Sequence, residues 1–217
     1  LPIAGPSAGE GPLVAQIPIH LPDGTTVESL CLLTGAHDLV VYDLASSSPI
    51  AVFVGGRILR HAQGRTRQFL ADGTPAGLGL ASGPAWQLAV SSSETQAAES
   101  KVFHGYDRLA DGALLRYKAR FKAGDVEVRE TLRVLRGDAG GRLARELRLS
   151  GIPKGASLVV RAKSNSPQGL SVKASTGAAE SRAEGDVVSV LLKPDAEGNA
   201  VATLRYELPG ARASAPW

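Results

Sequence analysis

The sequence predicts an all-β protein, an antiparallel β-sandwich built as one unit or as two packed halves, with little helix. Three observations predict it. Turn-forming glycines recur between strand-like segments, in PDG at 22–24, ADG at 71–73, Asp111-Gly112, AGD at 123–125 and AEGN at 196–199, and such pairs supply the positive φ that tight hairpins demand. Residues 113–121 alternate strictly, with Leu115, Tyr117, Ala119 and Phe121 on one face and Arg116, Lys118 and Arg120 on the other, which is the period of two of a half-buried strand. No stretch carries an amphipathic helical pattern longer than about two turns.

Taken in order, residues 1–24 read as an extended, Pro/Gly-rich N-terminal arm and residues 25–210 as the sandwich. In its first half, strands are expected at 25–33, 38–44, 50–60, 66–71 and 85–91. The halves meet near 89–101, AVSSSETQAAESK, a polar connection whose Glu94 to Glu99 also suit a short helix at 93–100. Residues 113–121 and 126–134 then form one long hairpin about the AGD turn. Its basic arm faces Glu127 or Glu130, in cross-strand pairs worth about 0.2–1 kcal/mol each. Further strands are expected at 142–149, 157–163, 169–174, 186–193 and 200–208, an exposed loop at 175–186, and a C-terminal tail at 211–217 that ends in Trp217.

A chain of 217 residues is long enough to bury a real core. Its one cysteine, Cys31, lies in the apolar run SLCLL, which excludes an internal disulfide and reads as a buried, inert thiol. The opening LPIAGPSAGEGPL and the absence of methionine suit a mature, exported chain whose leader has been removed. No apolar run reaches the ~18 residues of a spanning helix. Lys and Arg number 24 against 21 Asp and Glu, and they are spread along the chain, whereas nucleic-acid binding needs basic residues concentrated on one face.

Motifs that carry chemistry are sparse. His20, His37, His61 and His104 have no spacing that by itself makes a metal site, and a c-type haem needs a C-x-x-C-H segment. GLGLASG at 77–83 runs into Pro84 and a strand, where a dinucleotide fingerprint needs a helix. No G-x-S-x-G elbow occurs. The richest polar cluster is FHGYDRLADG, 103–112, where a strand enters a hairpin. With aromatic content at only 5%, Trp86 reads first as a core tryptophan packed between sheets; as the alternative, Trp86, His104, Tyr106 and Asp107 make the best candidate sugar site, with the ring as the stacking platform. His61 with Arg57, Arg65 and Arg67 is a candidate anion-holding group for an enzyme of unrecognised type.

Three segments, IAVFVGGRI at 50–58, VFHGYDRLADGALLRYKARFKAGDVEVRETLRVL at 102–135 and GRLARELRLSGIPKGASLVVRA at 141–162, together resemble the β-rich domain that accompanies c-type cytochromes and quinoprotein-like dehydrogenases in exported bacterial proteins. The matching features are turns and strands, and they carry no catalytic residue. The resemblance implies a periplasmic module beside redox domains, with any haem on another polypeptide. The expectation is a non-catalytic accessory subunit, without a cofactor of its own, docked on a membrane-bound respiratory or photosynthetic electron-transfer complex. Its partners would be protein subunits such as a c-type cytochrome, and Arg116, Lys118, Arg120 and Trp217 are the candidate interface. The alternative is a carbohydrate-binding or mutarotase-like sugar-recognition domain.

Overall fold

A computed structural model describes residues 2, 11–34, 38–63, 66–76, 78–79, 84–91, 94–137, 140–164 and 170–208. The first five strands are β1 (Leu13–His20), β2 (Thr26–Leu33), β3 (Asp38–Asp43), β4 (Ser48–Gln63) and β5 (Thr66–Pro75). They pair antiparallel in sequence order and close into a barrel through a parallel contact between His20 and Leu70. The apolar runs SLCLL and LVVY are unbroken because both faces of their strands are buried. Cys31, Leu33, Leu39 and Val41 fill the barrel, while Leu30, Leu32, Val40 and Tyr42 face outward into a second core.

That second core belongs to a sandwich. The next strands are β6 (Leu78–Gly79), β7 (Trp86–Ala89), β8 (Thr95–Ala97), β9 (Ser100–Leu109), β10 (Gly112–Phe121) and β11 (Gly124–Gly137). The chain continues through β12 (Gly140–Ser150), β13 (Ser157–Ser164), β14 (Leu170–Thr176), β15 (Ala178–Glu184), β16 (Val187–Lys193) and β17 (Ala200–Leu208). One sheet has the order β14-β17-β12-β11-β10-β9; the other is β15-β16-β13-β7-β8, with β6 also on β13. Ala113, Leu115, Tyr117, Leu143 and Leu147 from the first meet Trp86, Leu88, Leu158, Val160 and Val190 from the second in one apolar cluster, which includes the outward face of β2 and β3. The protein is therefore all-β and antiparallel apart from one contact, with no helix among the described residues.

Several expectations shift. Within the 1–24 arm, Leu13–His20 is a full strand paired residue for residue with β2, because its alternate Ile17 and Ile19 contribute to the barrel core. The ADG at 71–73 lies inside β5, where the register slips opposite Val54 to Arg57. Residues 93–100 hold no helix among those described: β8 and the start of β9 occupy the segment, which crosses from one sheet to the other. The 175–186 loop is largely β15, paired over its length with β16. The turns beside Gly112 and Gly124 sit one residue earlier than read, at Ala110-Asp111 and Lys122-Ala123. Gly112 is needed instead for close approach, since a Cβ there would lie 1.9 Å from the Leu132 carbonyl oxygen. The tail 211–217, and with it Trp217, lies outside the described residues.

Candidate functional site

Two polar groupings stand out, one sealed in the core and one on the outer face of the β9–β12 region. The inner one follows from strand parity. Val126, Val128 and Leu132 point into the core, so Glu130, at the same parity, must point there too; Leu143, Leu147 and Leu149 bring Arg145 with them. Glu130 stands opposite Leu147, and Arg145 opposite Leu132, so the two charges are diagonal neighbours on one face. Tyr117 is diagonal to Glu130 on one side, and Tyr206 to Arg145 on the other. A slanted polar row thus crosses β10, β11, β12 and β17.

The row is tightly bonded. Arg145 donates from Nε to Glu130 Oε1 at 2.6 Å and from Nη2 to Oε2 at 3.2 Å, and both side chains have 0% exposure. The Tyr117 and Tyr42 hydroxyls donate to Glu130 Oε2 at 2.7 and 2.8 Å. Arg145 also donates from Nη1 to the Tyr206 hydroxyl at 3.3 Å and from Nη2 to the Ser47 carbonyl at 3.4 Å. Trp86 Nε1 donates to that same carbonyl at 3.1 Å, and its ring meets Tyr117 edge-on with centroids 5.7 Å apart. Ser47 holds φ at 51° in the β3–β4 turn, where the Asp43 carboxylate accepts from the Ala45 and Ser46 amides. The turn presents its carbonyl inward as a shared acceptor.

Electrostatics follow from the enclosure. Burial opposes the Arg145 charge, but the Glu130 carboxylate, with Tyr206 and Tyr42 beside it, holds the guanidinium well above its ordinary range. Burial first, then the Glu130 charge, pushes the Tyr42 and Tyr117 hydroxyls well above theirs. The network joins barrel to sandwich and has no exposed member, so its chemistry is that of a fixed ion pair and not of a reacting centre.

On the outer face, Arg116, Arg129 and Arg148 stand directly opposite one another across β10, β11 and β12. A groove of about 460 Å³ runs over them, lined also by His104, Glu127 and Ser150. His104 reaches it through a bulge: Phe103 pairs with Tyr117 and Gly105 with Arg116, leaving His104 as the extra residue. Gly105 supplies the φ of 123° that the bulge requires.

The residues singled out in the sequence are placed as follows. Arg116, Lys118 and Arg120 do share the outer face, and each is engaged: Arg116 with Asp107, Lys118 with Glu127 at 2.8 Å, and Arg120 with Asp125 at 4.0 Å. The bond to Arg116 holds the Asp107 carboxyl below its usual range, and the bond to Glu127 raises the Lys118 ammonium. Of the sugar-site candidates, His104, Tyr106 and Asp107 share β9, but Trp86 has 0% exposure and sits in the other sheet, so its ring offers no face to a sugar. Arg57 pairs with Asp72 at 2.5 Å, while Arg65 and the side chains of His61 and Arg67 lie outside the described residues, as does His37. His20 Nδ1 bonds Thr26 Oγ1 at 2.7 Å. Cys31 is buried, and burial pushes its thiol up to about 11 despite the Ser29 hydroxyl. Among the described residues, no group of three or more His, Cys, Asp or Glu side chains is placed to hold a metal ion.

Sequence reading passed over Glu130 and Arg145 as a core pair and over the arginine row. The signals were present: both charges share the parity of their apolar neighbours, and the arginines align once the hairpin register is counted from the turn. Neither protein-family models nor curated proteins give a match to this chain.

Proposed function

We propose that this protein is a non-catalytic, periplasmic accessory subunit that docks by the outer face of its β9–β12 region on a membrane-bound electron-transfer complex containing a cytochrome. The observation that carries the reading is the junction built by Tyr42, Ser47, Trp86, Glu130 and Arg145. It ties barrel and both sheets into one cluster and leaves the long outer face of β10 to β12 as a stiff platform. Arg116, Lys118 and Arg120 line that platform beside Asp107, Asp125 and Glu127, a mixed-charge surface that suits docking with defined register. The resemblance of 50–58, 102–135 and 141–162 to domains that accompany c-type cytochromes supports the choice of host.

The test is purification of the complex from native membranes in mild detergent, with mass spectrometry and an absorption spectrum of the same fraction. Stoichiometric recovery with haem or pigment proteins, lost in a Lys118→Glu/Arg120→Glu variant that still folds, is the expected result. Recovery of the native protein as a free monomer without pigment overturns the proposal.

A further inference from the structure

We infer that the outer groove over β10, β11 and β12 is a binding site for a phosphate-type oxyanion, either inorganic phosphate or a phosphomonoester. The first ground is an arrangement that opposes folding. Arg116, Arg129 and Arg148 face one another directly across adjacent strands, and like charges so placed repel. Strands lie about 4.8 Å apart, so the three Cα positions fall within about 10 Å, and all three residues line one groove.

The second ground is how the neighbouring charges are matched. The end arginines have their own carboxylates: Arg116 bonds Asp107 through both Nη atoms, and Arg148 bonds Glu146 through Nε at 2.8 Å and Nη2 at 2.6 Å. Glu127, the acid in the groove, is held by Lys118 at 2.8 Å. Arg129, in the middle, has no ion pair or hydrogen bond among the described residues. It lines the groove together with Arg116, Arg148 and the bulged His104. Arginine forks suit tetrahedral oxyanions bidentately, and a dianion gains from a row of cations what the carboxylates of this face, already held by Arg116, Lys118, Arg120, Arg133 and Arg148, do not. The groove's 460 Å³ leaves room for a small ester beyond the anionic group.

This site does not depend on the accessory-subunit reading, because binding is measured on the isolated chain. The probes are sodium phosphate, glucose 6-phosphate and glucose, added at constant ionic strength against sodium chloride, with thermal unfolding and calorimetry as readouts. Saturable stabilisation by phosphate or glucose 6-phosphate, absent with glucose, is expected for the native protein. It should persist in Arg182→Gln, whose exposed side chain lies on β15, and fall at least tenfold in affinity in Arg129→Gln. Without anion, Arg129→Gln should itself melt about 1–3 °C higher, since the central like charge is gone. Tighter binding of glucose 6-phosphate than of phosphate identifies an ester as the ligand, and equal binding identifies the free anion. A response no larger than that to chloride, or one that Arg129→Gln retains, overturns the inference.

Discussion

Replacing Arg145 by Met removes the cation from a pocket where every neighbour was arranged around it. Glu130 would keep its Tyr42 and Tyr117 donors at 2.8 and 2.7 Å but lose both bonds to the guanidinium, at 2.6 and 3.2 Å. The Ser47 carbonyl would retain only Trp86. With Glu130 at 0% exposure, water cannot take the guanidinium's place, and breaking a buried pair from one side typically costs about 3–5 kcal/mol. At roughly 2–4 °C per kcal/mol for a chain of this size, the melting temperature should fall by roughly 6–20 °C. Urea unfolding followed by circular dichroism gives the free energy directly. The second arm is a double-mutant cycle with Glu130→Leu: the double variant should be less damaged than the two single losses added together, with a coupling of about 2–3 kcal/mol. A loss below about 1 kcal/mol for Arg145→Met, or single effects that simply add, would refute the view that these two groups hold each other in the core.

Other outcomes follow from the same geometry. Gly112→Ala should destabilise the protein by at least about 2 kcal/mol in urea unfolding, because the new Cβ would meet the Leu132 carbonyl oxygen at 1.9 Å and overpacking against backbone has no easy relief; unchanged stability contradicts the close approach. Cys31 should be silent to Ellman's reagent at pH 8 in the native state and react fully in 6 M guanidinium, as a buried thiol pushed up to about 11 requires. Alkaline stability tests the raised groups together. The Cys31, Tyr42 and Tyr117 values are raised on folding, so their contribution is fully present below the unfolded values, near pH 9 for the thiol and 10 for the phenols. It is then lost as pH rises through the folded ones. Urea midpoints should therefore fall above about pH 9, with a smaller fall in Tyr42→Phe/Tyr117→Phe; a flat midpoint from pH 8 to 11 would contradict the assignment.

The faces of β10 were legible from the alternation between Leu115 and Phe121, but the register was not, because the turns fall at Ala110-Asp111 and Lys122-Ala123, one residue before the positions the glycines suggest. The all-β class was legible from such alternation, repeated along the chain. The barrel was not. Its runs SLCLL and LVVY are apolar on both faces, and an unbroken run gives no period from which to tell barrel wall from sandwich core. Leu13–His20 was hidden by Pro18 and by the loose composition before it, although Ile17 and Ile19 carry the barrel-facing side. Trp86 was legible as core rather than platform from the small aromatic content of the chain, and its depth and its bond to Ser47, far away in sequence, bear that out. Glu130 was read as a surface partner of the basic arm because charge suggested exposure, whereas its parity with Val126, Val128 and Leu132 already placed it inside.

That parity explains why a buried ion pair stands where an apolar pair would fill the space. A buried salt bridge is weak evidence for net stability, because desolvation offsets much of the attraction. In a sheet, however, a slip of one residue between β11 and β12 turns one strand's side chains to the opposite face. Apolar side chains alone would resist that slip but would tolerate slips of two residues, which restore the faces, at modest loss. Glu130 and Arg145 tolerate neither: a slip that exposes or displaces one leaves the other buried and unpaired, and it also strips Tyr117, Tyr206 and the Ser47 carbonyl of their partners. The network thus penalises wrong registers more than it rewards the right one, and it does so at the point where the barrel meets the sandwich through Tyr42. On this reasoning a fully apolar replacement of the pair would still fold, but with broader side-chain resonances in the shared core and a barrel less firmly seated on the sheets.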